Sequence, residues 1–456
     1  MSLKAAFMVP HPPLIVSEIG KGREEDIIKT KTSYENVTEE IENINPDTII
    51  ISSPHTKIYS DGFYISKGDS LTGTFENFGA KQVSFKEEID NELVEEIEKC
   101  NDENYKILYE ARDDIELDHG TMVPLYFIRK RNIKAKIIVI GLSGLPLIEH
   151  YRFGMLLQKA INNSNKRVVY IASGDLSHKL QTYGPYGYAK EGPEYDKQIM
   201  EVCGKAKFLE LLKFKPEFLE KAAECGHRSF TIMAGTFDKL NVDSKEYSHE
   251  DITGVGYGIC SFYPQDENEE RNFYDKYLAQ EENRIISKDE LVNLAKQTIE
   301  NYITKNITVT VPEDASDYIT KNKAGVFVSL HKFGELRGCI GTFLPTKESI
   351  AEEIIRNAIA AATEDYRFDR VAEEELKYLE INVDVLNEPV KINSIDELDA
   401  KKYGVIVYSG FKRGLLLPDI EGVDTVEQQI NIARRKGNIN PEEEITIEKF
   451  EVVRHR

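Results

Sequence analysis

Long runs of aliphatic and β-branched residues recur through the first half of the chain, and each stops at a polar segment marked by proline or glycine. Ala5-Ala6-Phe7-Met8-Val9 ends at Pro10-His11-Pro12-Pro13-Leu14. Thr48-Ile49-Ile50-Ile51-Ser52-Ser53-Pro54 runs into His55, and Val168-Val169-Tyr170-Ile171-Ala172-Ser173 passes through Gly174-Asp175-Leu176-Ser177 to His178. Lys136–Gly141 is a fourth such run. Near-continuous apolar runs predict strands buried on both faces of a sheet, whereas a half-exposed strand would alternate. Between them, Ile89, Leu93, Val94 and Ile97 recur at helical spacing and predict an amphipathic helix over 87–100. Residues 193–238 read mostly as helix, with a break at Ala222–Phe230, and 254–262 reads as a last strand. The first half is therefore predicted to be α/β, a central mostly parallel sheet flanked by helices.

The pattern then changes. Pro264–Asn272 is polar and charged without apolar periodicity, which predicts a linker over 264–274 between units at 1–263 and 275–456. The second unit opens with a helix carrying Leu291, Ala295, Ile299 and Tyr302. Strands are predicted at Gly325–Leu330 and Glu380–Leu386, with a helix over Lys347–Thr363 between them. Strands and helices mix without βαβ alternation, so this half is predicted to be α+β.

Composition narrows the function classes. A chain of 456 residues carries enough for two or three domains of about 150 residues. A net charge of −21 argues against a nucleic-acid partner. No stretch approaches the roughly 18 apolar residues of a membrane span, and the start of the chain lacks a signal-peptide pattern. Cys100, Cys203, Cys225, Cys260 and Cys339 form no CxxC, as expected of a reducing cytoplasm. Self-association is left open.

The candidate chemistry sits where the strands end, because ligands of open α/β sheets bind beyond the carboxyl ends. His11, His55 and His178 fall there, and Glu224 lies in the helical break. Two imidazoles and a carboxylate on one triangular face suit non-haem Fe(II) with open positions. His178 would then be a non-ligand imidazole able to move a proton near neutral pH.

Val9-Pro10-His11-Pro12-Pro13, Ser53-Pro54-His55-Thr56, Leu117-Asp118-His119-Gly120 and Gly174-Asp175-Leu176-Ser177-His178 together resemble the class III extradiol ring-cleavage dioxygenases of the catalytic B subunit type, whose fold the Memo proteins share. The resemblance spans about residues 3–263. It implies iron held by His11, His55 and Glu224, with His178 as acid/base and His119 lining the pocket of a small aromatic, catecholic substrate cleaved with O2. The chain departs from the family in one place. The late glutamate usually precedes an arginine by two residues, whereas Arg228 lies four after Glu224. Memo proteins carry a Cys-Gly pair here, so Cys225 is a rival ligand that would suit zinc or copper. That alternative implies a metal- or ligand-binding protein without ring cleavage.

In the second half, Glu335-Leu336-Arg337-Gly338-Cys339-Ile340-Gly341-Thr342, Asp365-Tyr366-Arg367-Phe368-Asp369, Gly414–Asp419 and Glu427-Gln428-Gln429 resemble the AMMECR-type domain over about 275–456. Cys339 beside Arg337 could be a nucleophile of lowered pKa, with His331 as a base across strands. The favoured expectation is structural: Gly338 and Gly341 permit a close backbone turn, Cys339 packs as a small side chain, and the motif lines a ligand or partner groove. The two halves in this order resemble a two-domain family that accompanies a Memo-like protein and a radical-SAM protein, which implies those partners.

Overall fold

The apolar runs form the central sheet of the first unit. In chain order its strands are β1 (Leu3–Val9), β2 (Thr48–Ser53), β3 (Lys136–Gly141), β4 (Val168–Ser173), β5 (Leu240–Glu250) and β6 (Tyr257–Glu267), and across the sheet they lie β5-β6-β1-β4-β2-β3. The four from β1 to β3 in that row are parallel, and β6 and β5 close one side antiparallel. Parallel neighbours need crossovers, which are supplied by α1 (Ile28–Ile44), α2 (His119–Lys130) and α3 (Leu147–Ser164). Helices α4 (Glu191–Gly204) and α5 (His227–Gly235) follow β4. Every residue of β2 and β4 is buried, as their unbroken hydrophobicity requires. In this computed structural model residues 2–101, 105–109, 114–284, 287–420 and 422–456 are described, and the chain divides into units Met1–Leu278 and Ala279–Arg456.

Register sets up the site. Val9 lies opposite Ser173, Ser52 opposite Ala172, and Ser53 opposite Gly141, so the carboxyl ends of four parallel strands are level. His11, His55 and Asp175 each stand two residues beyond the last residue of their strand. The prolines stop the ladder there: Pro12 caps a single 3-10 turn over Pro13–Ile15, and the Pro10 carbonyl accepts the Tyr34 hydroxyl from α1.

In the second unit, β7 (Gly325–Lys332), β8 (Glu335–Gly341) and β9 (Leu379–Leu386) are followed by β10 (Gly404–Ser409), β11 (Lys412–Leu416), β12 (Thr446–Phe450) and β13 (Val452–His455). One antiparallel sheet runs β8-β7-β9-β13, and a second contains β12-β10-β11. Helices α6 (Glu290–Lys305) and α7 (Ile350–Thr363) cover one face of the first, packing on Val326, Val328, Leu330, Ile381 and Val383. Alternation along β7 and β9 leaves the opposite face polar except at Phe327 and Leu386, which pack with Ile406 and Phe450, and this half is α+β.

Two boundaries differ from expectation. The helix expected over 87–100 begins at Asn91, because Asp90 caps it by accepting the Leu93 N–H, while Glu87 and Glu88 end the strand Ala80–Glu88. The linker expected at 264–274 is structured. β6 continues to Glu267 against β5, pairing Val242 with Pro264 and Leu240 with Glu267, and a helix starts at Phe273, whose amide donates to Asp238 Oδ1 at 2.9 Å. Residues 265–267 are exposed, so this stretch of strand carries no hydrophobic signature.

Gly338 illustrates how tightly the second unit is packed. A Cβ there would lie 2.2 Å from the Ala361 carbonyl oxygen of α7. Gly338→Ala is expected to destabilise this unit by about 1–3 kcal/mol, read as a lower urea midpoint.

Candidate metal centre

Beyond the level strand ends, His11, His55 and Cys225 place one ligand atom each within 4.8 Å of the others. The tautomer of His11 follows from its neighbours. Ser173 Oγ donates to the Gly120 carbonyl at 2.6 Å, so its lone pair accepts the His11 Nδ1–H at 2.9 Å. Nε2 is thereby left unprotonated and aimed at His55 Nε2, 3.0 Å away, and Cys225 Sγ lies 3.7 Å from it. Ligand bonds of about 2.0–2.1 Å for imidazole and about 2.3 Å for thiolate separate adjacent ligand atoms by roughly 2.9–3.6 Å at angles of about 90–110°. The two separations of 3.0 and 3.7 Å lie within and just beyond that range, and two imidazoles with a thiol are ligand types that a transition metal ion takes.

The thiol is delivered by glycine packing. A Cβ on Gly174 would sit 2.1 Å from Gly226 Cα, so only this Gly–Gly contact lets the Cys225-Gly226 segment rest on the end of β4. The amides of Cys225 and Gly226 donate to the Asp175 carbonyl at 3.4 and 3.2 Å, and the Asp175 N–H donates back to Cys225 Sγ at 3.3 Å. Burial, together with the Asp175 and Glu224 carboxylates, pushes the thiol pKa well above its ordinary value. A cation between the imidazoles reverses that balance and favours thiolate.

Glu224, expected as the third ligand, is not in this group. Its Oε2 accepts the His227 N–H at 2.6 Å at the start of α5, and burial raises its pKa to about 7. Within the group it is the neighbouring cysteine, not the carboxylate, that joins His11 and His55.

The other two histidines border the group. His119, the first residue of α2, stacks on His55 at 4.2 Å between ring centroids and meets His11 edge-on at 5.3 Å. Its helix is capped by Asp118, whose Oδ1 also accepts the Ser53 hydroxyl, fastening α2 to the end of β2. His178 Nε2 lies 4.0 Å from Asp175 Oδ2, and its ring stacks on exposed Tyr186 at 5.0 Å. Burial lowers the pKa of His11, His119 and His178, so these rings are neutral, as ligands or proton acceptors must be.

Asp175 was not anticipated as a site residue. Its Oδ1 accepts the His11 N–H at 2.8 Å, and its Oδ2 lies 3.9 Å from His11 Nε2. A second unanticipated pair holds the His178 loop. The Ser177 N–H donates to buried Asp196 Oδ1 at 2.9 Å, and Asp196 Oδ2 meets His249 Nε2 at 2.7 Å. Gly256 makes room for that carboxylate, since a Cβ there would lie 2.0 Å from Oδ2.

The motif of the second unit lies on strand β8, not in a turn. Gly338 admits α7, Gly341 admits the Phe327 ring, and the Cys339 thiol accepts the Ser329 hydroxyl at 3.2 Å. Arg337 pairs bidentately with Glu375 and donates to the Asp369 carbonyl. It does not activate Cys339, whose pKa burial raises. His331 sits opposite Leu336 on the neighbouring strand.

Two predictions follow from the supporting bonds. Ser173→Ala removes the acceptor that selects the His11 tautomer, and zinc affinity is expected to fall about 10–100-fold by competitive chelator titration. Asp196 raises the pKa of His249 despite burial. The stabilisation from that pair is therefore full below the ordinary histidine pKa of about 6.5 and is lost as pH rises through the raised folded value. The urea-midpoint difference between wild type and His249→Gln is expected to be largest below about pH 6.5 and to shrink as the pH is raised above it.

The comparisons agree with both halves. Residues 5–260 match the family described as the catalytic LigB subunit of aromatic ring-opening dioxygenase, and residues 292–455 match AMMECR1. A protein of Clostridium acetobutylicum is 41% identical over 478 aligned residues that cover 100% of both chains. A protein of Thermotoga maritima is 49% identical over 175 residues, 38% of this chain and 100% of its own. Among solved structures, an uncharacterized protein from Pyrococcus horikoshii aligns with TM-score 0.34 and 31% identity over 36% of this chain and 88% of its own. An uncharacterized protein from Escherichia coli K12 aligns with TM-score 0.42 and 10% identity over 57% and 99%. No helix among the described residues is long and apolar enough to cross a membrane. With its first unit matched over 256 residues and a full-length relative at 41% identity, the chain belongs to the family of the catalytic LigB subunit of aromatic ring-opening dioxygenases, here carrying an AMMECR1 domain in the same polypeptide.

Proposed function

We propose that the first unit is a metal-dependent site for a hydroxylated, planar small molecule, with the metal held by His11, His55 and Cys225 and with His178 as the proton acceptor. The observation that carries this reading is the convergence of the Cys225 thiol with the two strand-end imidazoles. Thiolate with imidazole suits zinc or copper, whereas an oxygen-activating Fe(II) site is ordinarily built from two histidines and a carboxylate. A bound divalent ion would act as a Lewis acid, lowering the pKa of a hydroxyl placed on it.

The chain's own groups would do the rest. The Ser173 and Gly120 relay keeps His11 Nε2 free of a proton. His178, neutral through burial, accepts the substrate proton, and Asp175 Oδ2 at 4.0 Å stabilises the imidazolium that results. The exposed rings of Tyr183, Tyr186 and Tyr188 offer planar surfaces on the loop after His178.

A second reading, ring cleavage of a catechol with O2 at Fe(II), is favoured by the two non-ligand histidines beside the donor group, His119 against His55 and His178 facing Asp175. It needs a different donor set, and Glu224 would have to leave the His227 amide to supply it.

One measurement separates the readings. Metal content and affinity of anaerobically purified wild type are compared with Cys225→Ser and Glu224→Gln. The expected result is stoichiometric zinc or copper, an affinity loss of about 100-fold or more in Cys225→Ser, and near-wild-type binding in Glu224→Gln. Iron lost in Glu224→Gln and kept in Cys225→Ser, with oxygen uptake on adding catechol, would establish the dioxygenase reading instead.

A further inference from the structure

Exposed apolar surface in the first unit is concentrated around the metal centre. Among the described residues seven of its large apolar side chains are exposed. Four of them, Tyr183, Tyr186, Tyr188 and Ile252, are 54% to 73% exposed and lie on the loops that follow His178 and His249. Of the others, Ile58 stands three residues past His55, and Phe78 meets the His119 ring with 5.5 Å between centroids. Single exposed apolar residues are ordinary, but a cluster beside a site marks a surface for binding.

The tyrosine loop is held in place. The Ala189 N–H donates to the Lys179 carbonyl at 3.1 Å and Leu180 pairs with Tyr188, which closes the loop at its base. The Leu180 N–H donates to the Gly254 carbonyl and the Gln181 side chain to Asp251 Oδ2, both at 3.2 Å. The Tyr183 hydroxyl donates to the Ile252 carbonyl at 3.5 Å. The two loops meet at glycines, since a Cβ on Gly184 would lie 3.0 Å from Gly254 Cα. Three tyrosine rings are thus displayed on a pinned backbone, so little ordering is left for a ligand to impose.

This surface is continuous with the site. The Tyr186 ring stacks on His178 at 5.0 Å between centroids and 23° between planes, while His178 Nε2 lies 4.0 Å from Asp175 Oδ2. A molecule that hands a proton to His178 therefore lies next to Tyr186. A single small ring at the metal leaves the neighbouring tyrosines and Ile252 uncovered. Flat rings favour flat partners, because offset and edge-on aromatic pairs gain more than their buried area alone supplies.

Resting on the metal-site reading above, we propose that the substrate has two parts, a hydroxylated ring at the metal and a second aromatic ring that lies against Tyr186. Tyr183, Tyr188 and Ile252 border that second ring, and Tyr186 is the residue that sets the preference for it. The substrate class is therefore a two-ring phenol, and an aliphatic branch of similar bulk is a poorer fit.

The test measures binding to full-length, zinc-loaded protein under anaerobic conditions by calorimetry. The probes are catechol, 3-phenylcatechol and 4-phenylcatechol, with 4-tert-butylcatechol as the bulky, non-planar control. One phenylcatechol is expected to bind about tenfold or more tighter than catechol, and the tert-butyl compound to gain less than about threefold. Tyr186→Ala is expected to bring the phenylcatechol-to-catechol ratio below about threefold, whereas Tyr186→Phe, which keeps the ring, retains it. Nitration of Tyr186 by tetranitromethane, read peptide by peptide by mass spectrometry, is expected to slow about fivefold or more at phenylcatechol saturation. An equal gain from the tert-butyl group, or a phenyl preference that survives Tyr186→Ala, would overturn the proposal. Binding of all four ligands with equal affinity would overturn it too, while leaving the metal-site reading intact. Failure of catechol to bind, with Tyr186 still protected by a phenylcatechol, would overturn the metal-site reading and uphold the aromatic surface. No binding of any probe would overturn both.

Discussion

One buried residue, Asp175, ties the candidate metal centre together. Its carbonyl receives the amides of Cys225 and Gly226, its own amide points to the Cys225 sulfur, and its carboxylate receives the His11 amide while facing His178. Segments 164 residues before it and 50 residues after it in the chain are therefore fixed to this one residue. The carboxylate is costly to bury, and burial raises its pKa despite the His11 amide and the surrounding imidazoles. The compensation is geometric. Because Asp175 stands two residues past β4, level with His11 past β1 and His55 past β2, the strand register converts sheet pairing directly into ligand positions. A one-residue slip of β1 against β4 would point His11 to the other side of the sheet.

This explains which parts were legible in the sequence. The four parallel strands announce themselves because burial on both faces demands unbroken hydrophobicity, and Lys136–Gly141 and Val168–Ser173 have the bounds read from the chain. The strand-end histidines are visible for the same reason, as polar residues fenced by Pro10, Pro12, Pro13 and Pro54. What the chain does not display is set by contacts distant in sequence. The continuation of β6 to Glu267 is invisible because its side chains are exposed and polar, so no burial constrains their type. Asp196 and His249 look like ordinary charged surface residues until the fold sets one beneath Ser177 and the other against it.

The two units use their sheets differently. The first places chemistry at the ends of parallel strands, where backbone ladders stop and side chains are free to converge on a point. The second has its distinctive sequence motif on an antiparallel sheet, where the period of two assigns Val326, Val328 and Leu330 to the helix side and Phe327, Ser329 and His331 to the other. Gly338 and Cys339 belong to that logic. The glycine lets α7 approach, and the cysteine is displayed on the opposite face by the alternation of the strand.

The same local geometry sets which of Glu224 and Cys225 faces the two imidazoles. Ala223 ends the helix Pro216–Ala222 in the left-handed conformation, and Cys225 follows with its backbone amide committed to Asp175. That commitment turns the thiol inward to His11 and leaves the Glu224 carboxylate for the His227 amide at the start of α5. A carboxylate could enter the ligand group only by giving up that amide and displacing a segment pinned by the Gly174–Gly226 contact, where a Cβ has no room. Substituting the ring-cleaving family's donor set is thus a question of backbone packing before it is one of metal preference. The fold can be retained while the chemistry at its strand ends changes.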